Sequence, residues 1–292
     1  ISESARGEGG YLLNQDKERF IDELKPRDEV SRAIYEKIEK NEKVYLDLRH
    51  LGLEKICEVM PQERRLAFDY SNIKIENELL PITPAAHYTM GGIKTDIKTQ
   101  TNINNLFACG ECAQAAIHGA NRLGGNSLLE IVTFGKIAGV NASYKAKNRL
   151  DIIDIEVSTK NSLDEIFNYP NKINFYTKKD EIGKELFYKL GLFRTEEKIS
   201  ELIEKLKDVK SNIKYMGIDD KSKHYNKNLI NFLEFKNTLD LSIIVAKCSL
   251  LRKESRGSHY RLDYPFESVD YSKNTLIKKE NDEIRITFED IL

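Results

Sequence analysis

Ile199, Leu202, Ile203 and Leu206 recur at helical spacing along one face, behind a Thr195 cap and two acids. Leu239, Ile243, Ala246 and Leu250 mark a second helix of the same kind. Residues 150–254 as a whole are lysine-rich and read as helical, with Lys and Glu mixed on solvated faces over 178–254. Nearer the start, "PRDEVSRAIYEKIEKN" (26–41) reads as a helix with Asp28 as N-cap, and "KVYLDL" (43–48) as a strand. The tail "TLIKKENDEIRITFE" reads as a charged hairpin. Between these lies a glycine-rich part, residues 81–148. It holds a strand-like "HYTMGGIKT", then "NLFACG", then a helix from about Asn126 to Lys147.

The densest stretch is "HGANRLGGNSLLE" (118–130), which packs Gly119, Ala120, Gly124 and Gly125 around Arg122. Asn126-Ser127 is a good helix start. The unpaired N–H groups and positive dipole end of that helix then face the glycine turn. Such an end stabilises an anion or an electron-rich ring edge, and glycines upstream let a flat or phosphorylated ligand approach the backbone. Arg122 projects into the same space, where its planar fork suits a carboxylate. A glycine turn capping an ordinary helix fits this stretch equally well. The neighbours tip the balance. His87 precedes a Gly91-Gly92 pair. Glu111 follows a short apolar strand and a glycine, a position suited to ribose hydroxyls in dinucleotide folds. Glu3, Arg6 and Glu8 crowd before two glycines, and Arg27 stands just before a helix start, where the dipole disfavours a cation.

Composition narrows the class. The chain has 292 residues, 40% apolar and 32% charged, as in soluble globular proteins of one large or two ordinary domains. A formal net charge of −1 gives no global field for nucleic acid or an anionic membrane. No apolar run is long enough to span a bilayer, and no signal peptide is evident. Four cysteines in a chain this long make no disulfide framework and point to a reducing compartment. The Cys109-x-x-Cys112 pair has zinc or redox spacing but no second pair to complete a zinc site, so packing beside the Glu111 turn is the favoured reading. The chain opens with Ile1 directly into a dense motif, which suggests a fragment without its N-terminal part.

"RGEGG", "PRDEVSRA", "YLDLRHLG", "HYTMGGIKTD" and "AIHGANRLGGNSLLE" stand in the order seen in one family. The chain resembles the flavoprotein subunits of fumarate reductase and succinate dehydrogenase, a superfamily that includes L-aspartate oxidase. The likeness is dense over residues 1–148 and resumes at "SRGSHYRLDYP". It implies an α+β and α/β architecture. Residues 1–82 would be part of a capping domain, and 83–148 the returning C-terminal part of a Rossmann-like FAD domain. A helical bundle domain (149–254) and a small C-terminal segment (255–292) would follow. The family's G-x-G-x-x-G half has no counterpart in these residues, so the chain alone is expected to hold FAD poorly and to be inactive by itself.

The resemblance also implies roles. Glu111 matches the acid that holds the FAD ribose, and Ser127 and Leu128 match backbone contacts to the flavin's pyrimidine edge. Arg122 and His87 match residues that bind the two carboxylates of a C4 dicarboxylate, fumarate or succinate. Ser2 stands where the family has a threonine that also touches substrate. Arg27 matches the catalytic proton donor, and Glu3 and Arg6 a relay feeding it from solvent. His259 and Arg261 would help close a domain interface. Implied partners are an iron–sulfur subunit and, through it, membrane subunits that bind quinone. The expected location is cytoplasmic, peripheral on the inner face of the membrane. L-aspartate oxidase is the alternative enzyme, and a non-catalytic module that binds an iron–sulfur subunit or assembly factor is the alternative of another class.

Overall fold

The computed structural model describes residues 4–147, 159–281 and 283–291. The chain divides into two compact units, Ile1–Ser143 and Tyr144–Leu292. Ser2 and Glu3 lie outside the described residues.

In the first unit, α1 (Ser4–Gly7) is followed by β1 (Tyr11–Leu13), α2 (Arg27–Glu39) and β2 (Tyr45–Asp47). Two short helices, α3 (Gly52–Val59) and α4 (Pro61–Ser71), precede β3 (Leu80–Pro81). β2 is the middle strand of an antiparallel sheet, with Leu46 opposite both Leu12 and Leu80. Leu12, Leu46 and Leu80 join Val30, Ile34, Leu48, Ile56 and Met60 in one apolar core. α2 docks on it through Val30 and Ile34, one turn apart on the same face. The N-cap of α2 is Pro26, not Asp28, and it makes no side-chain cap bond. Asp28 instead lies inside the first turn, where the dipole favours an acid and leaves its carboxylate free for other partners. The strand expected over 43–48 keeps only its middle, because Leu48 (ψ 1°) turns the chain into a 3-10 segment at Arg49–Leu51.

Residues 83–143 carry far less regular structure. β4 (Ile93–Lys94) and β5 (Ala113–Gln114) form a parallel pair, and α5 (Asn126–Ala146) follows. "HYTMGGIKT" is therefore irregular over most of its length. Gly91 (φ 98°) and Gly92 (φ 144°) interrupt it. A Cβ at Gly92 would lie 2.3 Å from the Cys112 carbonyl oxygen, so only glycine lets β4 begin this close to the turn before β5. "NLFACG" forms no strand; Phe107 makes a single bridge to Gln100. Glu111 therefore precedes a strand and does not follow one. The helix expected from Asn126 is present as α5. It buries Glu130 and leaves Leu128, Leu129, Val132 and Val140 exposed.

The second unit contains α6 (Thr159–Asn168), α7 (Phe175–Leu190), α8 (Glu196–Ser211), α9 (Lys227–Leu251) and the hairpin β6 (Lys273–Glu280) to β7 (Glu283–Asp290). The anticipated helix faces form its core: Ile199, Leu202, Ile203 and Leu206 of α8 and Leu239, Ile243 and Ala246 of α9 are buried together with Phe232 and Phe235. Leu250 packs partly buried against them. Thr195 caps α8 by accepting the Lys198 amide at 3.2 Å.

The segment after α9 is held by buried charge. Glu254 is fully buried and pairs with both Arg252 and Arg256, the latter at 2.9 Å. Arg261, also fully buried, forks onto Asp263 and donates to the Ser249 carbonyl at 2.9 Å. His259 Nδ1 accepts from the Arg194 guanidinium at 2.7 Å, and its Nε2 donates to the Arg252 carbonyl at 3.1 Å. That pairing fixes a neutral imidazole with its proton on Nε2. His259 and Arg261 thus tie the C-terminal segment to the ends of α7 and α9.

Two consequences are measurable. Replacing Glu254 with Ala leaves two arginines facing an apolar hole and should cost about 3–5 kcal/mol in denaturant titrations. Burial, then the Arg194 charge, push the His259 pKa down to about 4 from an ordinary 6.5. The unfolded chain therefore binds a proton on this histidine before the folded one does. Stability should be unaffected by it above pH 6.5 and fall as pH drops from 6.5 towards 4. The loss should be steeper in the wild type than in His259→Gln when melting temperature is followed across that window.

Candidate active site

The site is built around the start of α5. Gly125 (φ 79°) takes the left-handed conformation that turns the chain into the helix, with the Asn126 amide donating to the Leu123 carbonyl at 3.3 Å. A Cβ on Gly125 would meet no atom within 4 Å, so the space before the helix end is open. Ser127 and Leu128 sit in the first turn, where the Leu128 amide donates to the Gly125 carbonyl at 3.1 Å; Ser127 is half-buried and Leu128 exposed.

Arg122 stands just before this turn and is only 6% exposed. Its Nη1 donates to the Leu123 carbonyl at 3.1 Å, and its guanidinium carbon lies 4.5 Å from the centre of the Tyr88 ring. Its Nε is buried with no hydrogen-bond partner. Among the described residues no carboxylate pairs with it. A buried cation without an anion is costly, and the cost is tolerated where a ligand supplies the anion.

Tyr88 is held in turn. Its hydroxyl donates to Glu130 Oε2 at 2.7 Å, and the same oxygen accepts from His118 Nε2 at 2.8 Å. The two rings meet edge to face at 5.4 Å. Burial, reinforced by the Glu130 hydrogen bond, pushes the Tyr88 pKa up to about 12, so its hydroxyl is a committed donor. Sequence reasoning missed Tyr88, His118 and Glu130. The available signal was Glu130 itself, a lone acid in the otherwise apolar "SLLEIV".

Segments distant in sequence converge here. Asn121, beside Arg122, donates to Asp28 Oδ1 at 2.9 Å across 93 positions. Arg32 holds the other oxygen of Asp28 at 2.9 Å. This bond ties the arginine turn to the first turn of α2, whose first residue is Arg27. Arg27 is thus inside the helix start rather than just before it. Arg6 of α1 donates to the carbonyls of Glu23, at 2.5 Å, and Lys25, at 3.4 Å, in the segment leading to Arg27. His87 is exposed, and its neighbour Tyr88 carries the contact to Arg122. Glu111 is exposed, and its Oε1 accepts the Thr89 amide at 2.9 Å, fastening the turn before β5 to the His87 segment. Cys109 and Cys112 are free thiols, and the Cys112 sulfur donates to the Cys109 carbonyl at 3.4 Å.

The comparisons with known proteins point the same way. A family model described as an FAD binding domain matches residues 1–128, and one described as the fumarate reductase flavoprotein C-terminus matches residues 179–292. The fumarate reductase flavoprotein subunit of Escherichia coli is 35% identical over 326 aligned positions, covering 100% of this chain and 54% of that protein. The succinate dehydrogenase flavoprotein subunit of Coxiella burnetii is 35% identical, covering 90% of this chain and 50% of its own length. A solved E. coli quinol fumarate reductase chain superposes with a TM-score of 0.92 at 34% identity, over 100% of this chain and 56% of that one. These matches define part of an FAD-binding flavoprotein. The chain belongs to the fumarate reductase and succinate dehydrogenase flavoprotein family. It spans about half the length of the curated relatives it matches. No helix among the described residues is long and apolar enough to cross a membrane.

The two glycines differ in why they are needed, which predicts unequal costs. At Gly119 (φ 57°) a Cβ meets nothing, so Gly119→Ala should cost about 1 kcal/mol of backbone strain alone. Gly92→Ala adds a collision with backbone that cannot yield and should cost about 3 kcal/mol or more in the same denaturant assay.

Proposed function

We propose that this chain supplies the dicarboxylate-binding and proton-donating part of a flavoprotein that interconverts fumarate and succinate. The observation that carries the reading is Arg122, a buried guanidinium that no carboxylate of the described residues neutralises. A carboxylate of the substrate would complete it, with His87 taking the second carboxylate. The open space before α5, bordered by Gly125 and by Ser127 and Leu128 of the first turn, fits the rim of an isoalloxazine. Glu111 stands in reach of the same segment and fits a ribose. FAD, when bound, supplies hydride transfer to or from a substrate carbon. In this reading residues 1–82 are capping-domain structure and residues 83–148 the returning part of the FAD-binding domain. Residues 149–254 form the helical domain, and 255–292 the C-terminal segment.

The chain's own residues account for the rest of the reaction. Reduction of the alkene needs a hydride on one carbon and a proton on the other. Arg122 and His87 polarise the carboxylates, so that charge arriving with the hydride spreads onto carboxylate oxygen. Arg27, at the start of α2, delivers the proton to the other carbon. The Asp28–Asn121 hydrogen bond keeps it beside the Arg122 turn. Arg6 and Glu3 return a proton to Arg27 from solvent, and the Ser2 hydroxyl adds a hydrogen bond to substrate. Electrons pass onward to an iron–sulfur subunit and then to quinone-binding membrane subunits. The assembly would lie on the cytoplasmic face of the membrane.

The test is kinetic. In the flavin-loaded protein, Arg27→Lys should lower fumarate turnover by about a hundredfold or more while flavin absorbance and dicarboxylate affinity hold. Arg122→Gln should lower kcat/KM by about a hundredfold or more and weaken dicarboxylate binding. Near-normal turnover in Arg27→Lys would refute the proton role, and unaltered binding in Arg122→Gln the substrate role.

A further inference from the structure

We infer that Glu130, through Tyr88 and His118, is a positioning residue that holds the Arg122 guanidinium in place without neutralising it. The inference rests on the reading of Arg122 as a substrate-carboxylate ligand. It adds how the chain keeps that charge available.

A buried arginine is ordinarily fixed by a carboxylate, which orients the fork and cancels the charge in one step. Among the described residues, the buried carboxylate beside Arg122 and Tyr88 is that of Glu130, 3% exposed on α5. It makes no ion pair with Arg122. Its Oε2 receives the Tyr88 hydroxyl at 2.7 Å and the His118 Nε2 at 2.8 Å. These two bonds set the tilt of both rings, which then brace each other edge to face at 5.4 Å. The Tyr88 ring, so fixed, presents its π face to Arg122 at 4.5 Å. The ring face attracts the cation but carries no net charge, so the guanidinium is oriented while its positive field remains available. The Leu123 carbonyl occupies Nη1, and Nε stays buried and unpartnered. A platform of this kind suits a site that must bind and release an anion in each turnover. A direct carboxylate partner would compete with the substrate for the same fork.

The test turns on sign. Glu130→Gln removes a negative charge near the site. If Glu130 acted only through its field, succinate would bind more tightly to the variant. If Glu130 positions the platform, a neutral amide oxygen holds the same two donors more weakly than a carboxylate does, and succinate should bind several-fold more weakly. Succinate affinity is measured by titration calorimetry on folded protein, with and without bound flavin, for wild type, Glu130→Gln, Tyr88→Phe, Tyr88→Leu and Arg122→Gln. Tyr88→Phe keeps the ring but loses its anchor and should weaken binding a few-fold, and Tyr88→Leu about tenfold. Tyr88→Phe carries the test if Glu130→Gln fails to fold. Loss of affinity across these variants supports the inference. Equal or tighter binding in Glu130→Gln and Tyr88→Leu, with binding lost in Arg122→Gln, overturns the platform alone. Wild-type affinity retained in Arg122→Gln overturns the underlying reading and the platform with it.

Discussion

Desolvating a guanidinium without giving it an anion is among the more expensive things a fold can do. In this chain that cost falls on Arg122, and much of the surrounding structure follows from it. The fork is supported by one carbonyl and one aromatic face, both weak partners for a full positive charge. Weak partners must be rigid to be useful, so Tyr88 is anchored to a buried carboxylate and braced by a second ring. The anchor comes from α5, which turns the acidic Glu130 inward. The buried acid and the neutral tyrosine are connected parts of one electrostatic arrangement.

The same contrast separates the two parts of the first unit. Residues before Leu80 build an ordinary apolar core around a three-stranded sheet, which needs no ligand to make sense. Beyond it the buried side chains include Thr99, Thr101, Arg122 and Glu130, and the only sheet is a two-residue ladder. Polar burial on that scale contributes specificity of arrangement more than stability. Arg27 joins the two regimes. Its helix is fastened to the apolar core by Val30 and Ile34, while Asp28 reaches out to Asn121 of the polar part.

Periodicity in the sequence discloses the helices well, because α7 to α9 and α2 bury regular apolar faces whose spacing is local. The start of α5 is equally legible, since glycine followed by Asn-Ser is a local capping signal. The hairpin of β6 and β7 also announces itself through its turn. The extended reading of "HYTMGGIKT" fails for a different reason. Its geometry is set by a close approach to Cys112 and by the Glu111–Thr89 bond, both made with a partner about 20 residues away. Asp28 misleads in the same way: as a helix cap it is chemically ideal, but its carboxylate is claimed by Asn121 and Arg32. Motif likeness draws attention to Arg122 and Arg27, whose segments the Asn121–Asp28 bond joins. It is silent on Tyr88, His118 and Glu130, because hydrogen bonds between side chains 12 and 42 positions apart leave no pattern in a single sequence.

The Asn121–Asp28 hydrogen bond spans 93 positions, and it forms only once both ends of that long loop are in register. Closing so large a loop carries an entropic penalty that local helices escape, and contacts of that kind are made late in folding. The Arg122 turn should accordingly settle against α2 late in folding. A nascent or partly opened chain would then lack the join between its apolar and polar regions.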